Sequence, residues 1–374
     1  MRRFQAFDPP EYFSWTADPD IVREYGQTID RQPDRADVVN NLTKQQLLQL
    51  YEGLVRFRLH DYALKRWVRQ GVISKAWLGT GEEAVTIGNV HALDRKHDIV
   101  APMIRNAGAC HEMGMPVEQM LYGYLGTDSS PNHGKDAHIG DLERGILQPI
   151  SHVGDSVPVI TGIALAFQRR RQPRVALTWI GDGSTKTTAV HEGLNFAGVL
   201  KVPAIFVIQN NQVALGTRVE QHQAGDFDEW GSMYGMPLMI ADGNNVLDVY
   251  AATKLAADRA RAGGGPTLIL VNTFRIGGHA THDEAEARRT FSPELFAHWG
   301  KRDPIGLYEE YLSEKRDVGR QELEKIEQLV SDEIDAAAER AAAARTTNMP
   351  QPAAAELPGI SAGVRQPGLA HRLG

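Results

Sequence analysis

A chain of 374 residues implies one large α/β domain or two modest ones. Hydrophobic residues at 42% and charged residues at 23% sit near ordinary globular averages and exclude wholesale disorder. A formal charge of -7 argues against a nucleic-acid binder driven by phosphate contacts. The single cysteine, Cys110, excludes an internal disulfide and a thiolate-rich metal site; it is expected to be a small buried residue in a reducing cytoplasm. The N-terminus has no signal-peptide core, and no stretch reaches the roughly 20 apolar residues a membrane span needs. The longest candidate, Val157 to Phe167, is interrupted by Pro158, Thr161 and Gly162.

Residues 1–41, rich in Pro, Asp and Arg with scattered aromatics (Phe4, Phe7, Tyr12, Phe13, Trp15, Tyr25), read as an extended N-terminal arm laid on a surface, with a partner's surface as a candidate. A helix is predicted from Thr43, with Asn41 or Thr43 as its cap and Leu47, Leu48, Tyr51, Leu54, Val55 and Leu59 at helical spacing. From there to residue 315, short apolar runs alternate with amphipathic stretches. The clearest unit is Arg174 to Gln209. The strand Val175–Ile180 ends in Gly181-Asp182-Gly183, a helix follows with Val190, Leu194, Ala197 and Leu200 on one face, and Pro203 opens the strand Ala204–Ile208. Such a βαβ unit implies parallel strands. A helix over Val246–Ala262, a Gly263-Gly264-Gly265-Pro266 turn and the strand Thr267–Val271 form a further unit. After Pro304 the chain turns helical and charged. The expected organisation is an α/β domain over 42–315, a C-terminal helical region over 316–348, and an Ala/Pro/Gly tail over 349–374.

The chemistry concentrates at the two strand ends of the Arg174–Gln209 unit. In a doubly wound sheet, ligands bind beyond the carboxyl ends of the strands. Asp182 stands at one end between glycines, and Asn210-Asn211 stands at the next, with Asn211 twenty-nine positions after Asp182. One carboxylate and one amide oxygen on adjacent parallel strands form a hard oxygen site suited to Mg2+, with its remaining positions left for phosphate oxygens and water. The glycines let the backbone approach a diphosphate, and the following helix N-terminus favours its charge.

Gly181-Asp182-Gly183 with Asn210-Asn211 resembles the thiamine-diphosphate motif, and the chain from Leu42 to Tyr311 resembles the α subunits of two-component 2-oxo acid dehydrogenases, the E1 α subunits of pyruvate and branched-chain complexes. Gly81-Glu82-Glu83-Ala84, the stretch from Asp98 through Arg105 to Gly108, Gly154-Asp155-Ser156-Val157-Pro158 with Gly162, and Phe274-Arg275-Ile276-Gly277-Gly278-His279-Ala280-Thr281-His282-Asp283 followed by Arg288 are similar to family segments in the family's order.

This resemblance implies a doubly wound, mostly parallel thiamine-diphosphate-binding fold. It implies that Asp182, the Asn211 side chain and the Val213 carbonyl ligate Mg2+, and that Arg105 pairs with the diphosphate. Gly181, Gly183 and Ser184 then line the phosphates, Ser151 and Val153 touch the aminopyrimidine, and His279 sits beside the diphosphate and the reacting carbon. An E1 β subunit would supply the activating glutamate in an α2β2 heterotetramer, and the acyl group from a small 2-oxo acid would pass to the lipoyl arm of an E2 acyltransferase. Nucleic acid and membrane are not expected partners. An acetoin-cleaving enzyme and a non-catalytic scaffold subunit are the alternative readings. The chain departs from the family at Ile104, Val213 and Ala287, each in place of a tyrosine, and Ala280 stands where mitochondrial members carry a phosphorylated serine. His133 and His138 are candidates for the substrate entrance, whereas His111, His152, His191 and His282 read as structural or solvated. The choice between pyruvate and a branched-chain acid is not legible.

Overall fold

The computed structural model describes residues 1–347; the expected tail from residue 349 lies outside them. The element expected at Thr43 forms as read. Its hydroxyl accepts from the Gln46 N–H, the Gln46 side chain returns to the Thr43 N–H, and this capping box opens α4 (Lys44–Arg69).

The first forty residues differ from the expected extended arm. They form three helices, α1 (Pro10–Phe13), α2 (Pro19–Asp30) and α3 (Pro33–Asn40), each with proline in its first turn. Proline there loses no helical hydrogen bond, so prolines that look like breakers act as starters. Asp18 caps α2 by accepting from the Asp20 N–H. Tyr12, Val22, Tyr25, Ile29 and Val39 are buried in the chain's own core, and Phe4, Phe7 and Trp15 are half-buried against it, whereas Phe13 is exposed.

Five parallel strands form one sheet: β1 (Ile99–Ala101), β2 (Ala176–Gly181), β3 (Ala204–Asn210), β6 (Leu238–Asp242) and β7 (Thr267–Asn272), in the order β1-β2-β3-β7-β6. A small hairpin, β4 (Val213–Ala214) and β5 (Thr217–Arg218), follows β3. Alternate residues of the central strands enter opposite cores, as a sheet buried on both faces requires. Leu177, Trp179, Ile205, Val207, Ile269 and Val271 pack on the side of α4, α5 (Glu83–His91) and the helix Val246–Arg261. Ala176, Ile180, Phe206, Ile208, Leu268 and Leu270 pack on the side of α8 (Ser156–Arg169) and α9 (Thr188–Leu200). The α6 (Ala107–Glu112) and α7 (Val117–Leu125) helices lie between β1 and α8 in the chain.

The C-terminal helical region expected over 316–348 is a helix over Arg320–Thr347, and it is preceded by a helix over Pro304–Lys315 inside the range expected for the α/β domain. Val330, Ile334, Ala337 and Ala341 share the core of α4, so this region is continuous with the α/β body. No helix among the described residues is long and apolar enough to cross a membrane.

One close approach holds α5, whose N-cap is Glu82, against the helix Val246–Arg261. A Cβ on Gly88 would lie 2.8 Å from the Val246 carbonyl oxygen and 2.9 Å from Val249 Cβ. Gly88→Ala is therefore expected to lower stability by about 1–3 kcal/mol in urea unfolding; a change below about 0.5 kcal/mol would contradict this packing.

Candidate functional site

The register Gly181↔Gln209 places the carboxyl ends of β2 and β3 side by side. Asp182 follows β2 directly, and Asn211 follows β3; both are buried. Gly183 opens a 3-10 turn (Gly183–Lys186), whose first N–H groups have no acceptor within the turn. A Cβ on Gly183 would sit 2.5 Å from Ala214 Cβ, so only glycine lets the β4–β5 hairpin close over the turn.

Around these strand ends lies a cavity of about 560 Å³. Arg105, Ser151, Val153, Gly181, Asp182, Gly183, Ser184, Val213 and His279 all line it, which brings nine of the ten expected site residues onto one surface. The tenth, Asn211, lies below that surface. Its Nδ2 donates to Glu82 Oε1 at 2.8 Å, and its Oδ1 accepts from the Val213 N–H at 3.4 Å. His138 lines the cavity, with its Nε2 3.2 Å from Ser151 Oγ. His133 does not; it is exposed beside Asp128. Cys110 is buried, with its thiol pushed up to about 12 by burial.

Three contributors carried no expected role. Glu82 accepts from Gln209, Asn211 and, at 3.4 Å, Arg105 Nε. His222 places Nε2 3.1 Å from Asp182 Oδ2, which leaves Asp182 Oδ1 outside that contact. Arg275 is buried on the cavity wall and donates to the carbonyls of Leu215 and Gly277 at 3.0 and 3.3 Å. Glu82 and Arg275 stand inside the segments that carry the family resemblance, so position could have flagged them. Nothing in the local sequence marks His222.

The electrostatics follow from this wall. Among the described residues, Asp182 is the only lining carboxylate, against Arg105 and Arg275. Burial raises the Asp182 carboxyl above its ordinary range despite His222 and Arg105 beside it. Burial, then the Arg105 charge, brings Arg275 down to about 10. Burial, then Arg105 and Arg275, lowers His279 to about 4. No group of three or more His, Cys, Asp or Glu side chains that could hold a metal occurs among the described residues, so a cation here would rest on Asp182 and neutral oxygens. A hard divalent ion with a phosphate oxygen fits that set, and the surplus guanidinium charge fits the anion.

Below its unfolded value near 6.5, the His279 imidazole is harder to protonate when folded, so this group's contribution to stability is present above pH 6.5 and declines as pH falls toward 4. An NMR titration is expected to place the His279 midpoint near pH 4 in the ligand-free chain; a midpoint at the ordinary histidine value would contradict the cationic wall.

Residues 53–350 match the family model of the dehydrogenase E1 component. The chain is 33% identical over 297 residues to the 2-oxoisovalerate dehydrogenase subunit alpha of Bacillus subtilis, covering 78% of this chain and 88% of that protein. It is 34% identical over 299 residues to the pyruvate dehydrogenase E1 component subunit alpha of Staphylococcus aureus, covering 79% of this chain and 76% of that one. The mitochondrial 2-oxoisovalerate dehydrogenase subunit alpha of Homo sapiens is 33% identical over 296 residues, 78% of this chain and 65% of its own.

Proposed function

The chain belongs to the dehydrogenase E1 component family, and from that premise we propose that it is the α subunit of a thiamine-diphosphate-dependent 2-oxo acid dehydrogenase, acting on pyruvate or a branched-chain 2-oxo acid. The observation that carries this reading is the placement of Asp182 and Asn211 just beyond the ends of adjacent parallel strands, with the glycine turn, Arg105 and Arg275 lining the same cavity as Asp182. When bound, thiamine diphosphate supplies the nucleophilic carbon that adds to the oxo group and the ring that holds the electrons once CO2 leaves.

The chain's own residues then bind and orient. Asp182, the Asn211 side-chain oxygen and the Val213 carbonyl hold Mg2+; because that third ligand is main chain, valine in place of tyrosine does not remove it. Arg105 and the N–H groups of Gly183 and Ser184 take the diphosphate, with Gly181 beside them, and the backbone of Ser151 and Val153 meets the aminopyrimidine. His279, lowered to about 4 in the ligand-free chain by burial and two arginines, would offer a ring nitrogen to a proton at the reacting carbon.

The second chain is needed for two reasons. Among the described residues, Asp182 is the only carboxylate lining the cavity, and it is assigned to the metal, which favours a second chain as the source of a carboxylate to activate the pyrimidine. The rim is also apolar and open: Val153 and Leu215 are 56% and 60% exposed, a surface suited to cover by a β subunit. An α2β2 assembly that hands the acyl group to the lipoyl arm of an E2 protein follows from this reading.

The test is ferricyanide reduction by the chain co-purified with its β partner, driven by pyruvate and by 2-oxoisovalerate, with and without thiamine diphosphate and Mg2+. Turnover that requires both is expected, and the preferred acid assigns the substrate. No turnover on either acid from an intact two-chain complex contradicts the proposal. Asp182→Ala is expected to weaken metal-dependent cofactor binding by about 100-fold or more; unchanged affinity would remove Asp182 from the metal.

A further inference from the structure

The segment that carries His279 leaves the sheet at Asn272, forms a short loop helix over Glu284–Thr290 that holds Arg288 and Arg289, and reaches the next helix at Pro293. Three contacts along it fix its course. At Thr281 the backbone N–H donates to the Ala76 carbonyl at 2.9 Å, and the hydroxyl accepts from the Ala76 N–H at 3.1 Å. At Glu284 the carboxylate lies 3.0 Å from Lys65 Nζ of α4. At Arg288 the guanidinium pairs with both carboxylate oxygens of Glu11, the second at 2.8 Å.

This third contact is distinctive because Glu11 lies 277 positions away, in the short helix α1 near the other end of the chain. It is also backed by packing. The Arg288 guanidinium sits 4.1 Å from the Phe296 ring centroid, and Phe296 packs on Phe274 at 5.3 Å between centroids. Tyr12, the neighbour of Glu11, is buried in the same cluster as Val213, Phe274 and Ile276. Gly300 is close to Glu11: a Cβ there would meet Glu11 Cβ at 2.4 Å. Thus α1 pairs with Arg288 of the His279 loop, and its Tyr12 shares one apolar cluster with Phe274, Ile276 and, at the start of the β4–β5 hairpin, Val213.

We infer that Glu11 is a positioning residue for this reaction: through its two-point pairing with Arg288, α1 holds the His279 loop against the cavity. The inference rests on the functional reading above. A bidentate carboxylate–guanidinium pair fixes orientation as well as distance. Its partners are partly exposed, with side chains 20% and 33% accessible, so the pairing is worth a modest factor and global folding does not depend on it. Tyr12 also shares an apolar cluster with Phe274 and Ile276, a kind of contact that permits sliding; the ion pair supplies the register.

The test uses the full chain with its co-purified β partner, as wild type, Glu11→Gln, and the charge swap Glu11→Arg with Arg288→Glu. Three quantities are read: trypsin cleavage after Arg289, a site present in every variant and exposed in the loop helix; thiamine diphosphate affinity by calorimetry with Mg2+; and the melting temperature. Glu11→Gln is expected to speed cleavage and to weaken cofactor affinity about fivefold each, with little change in melting temperature. The swap is expected to return both toward wild type. Wild-type cleavage and affinity in Glu11→Gln, or a swap that recovers neither, overturns the inference. If wild-type protein binds no cofactor, the functional reading fails, and the cleavage rates still decide the clamp.

Discussion

One buried carboxylate, Glu82, ties the site together. It stands at the N-cap of α5 and accepts from Gln209 at the end of β3, from Asn211 just beyond it, and from Arg105 after β1. Each donor belongs to a different part of the floor or wall, and each would lose its partner if the carboxylate were absent. An unpaired buried amide costs about 1–3 kcal/mol, so the network is formed as a whole or not at all. Asn106 extends it by donating to Gln209 Oε1 at 3.1 Å and to Thr86 at 2.7 Å. Because Glu82 holds the amide nitrogen of Asn211, the orientation of that amide is set before any ligand arrives. His222 does the same for Asp182 from the opposite side by engaging one carboxylate oxygen.

The second constraint is charge. Burial raises Asp182 and lowers Arg275 and His279, and the two arginines add to the lowering of His279. Arg275 donates to two carbonyls and has no carboxylate within ion-pair distance among the described residues. A buried guanidinium held only by neutral acceptors is poorly compensated until an anion lies against it. The same wall therefore favours a diphosphate and keeps the nearby imidazole neutral at physiological pH.

The sheet and the strand-end motif were legible because they depend on local pattern. Thr43 is followed by Gln46 at capping-box spacing, and the apolar runs at 175–180 and 204–208 are too short for anything but buried strands. What escaped had one of two physical causes. The prolines of the first forty residues start helices, and only tertiary burial of Tyr12, Tyr25 and Ile29 reveals which role they take. The supporting side chains act at long range: Glu82 meets Asn211 across 129 positions, and His222 meets Asp182 across 40. No local spacing encodes such contacts. His133 and His138 show the converse. They look alike in sequence, but only His138 reaches the cavity, because His133 adopts a left-handed turn (φ 57°) beside Asp128 on the exposed side of the loop.

In the proposed site a divalent ion and a diphosphate share the two strand ends. The most direct measurement is a calorimetric titration of the purified two-chain complex with thiamine diphosphate, made once with Mg2+ and once in chelator. One cofactor is expected to bind for each copy of this chain, with affinity that disappears in chelator. Equal affinity without metal, or no binding by an intact complex, would contradict it.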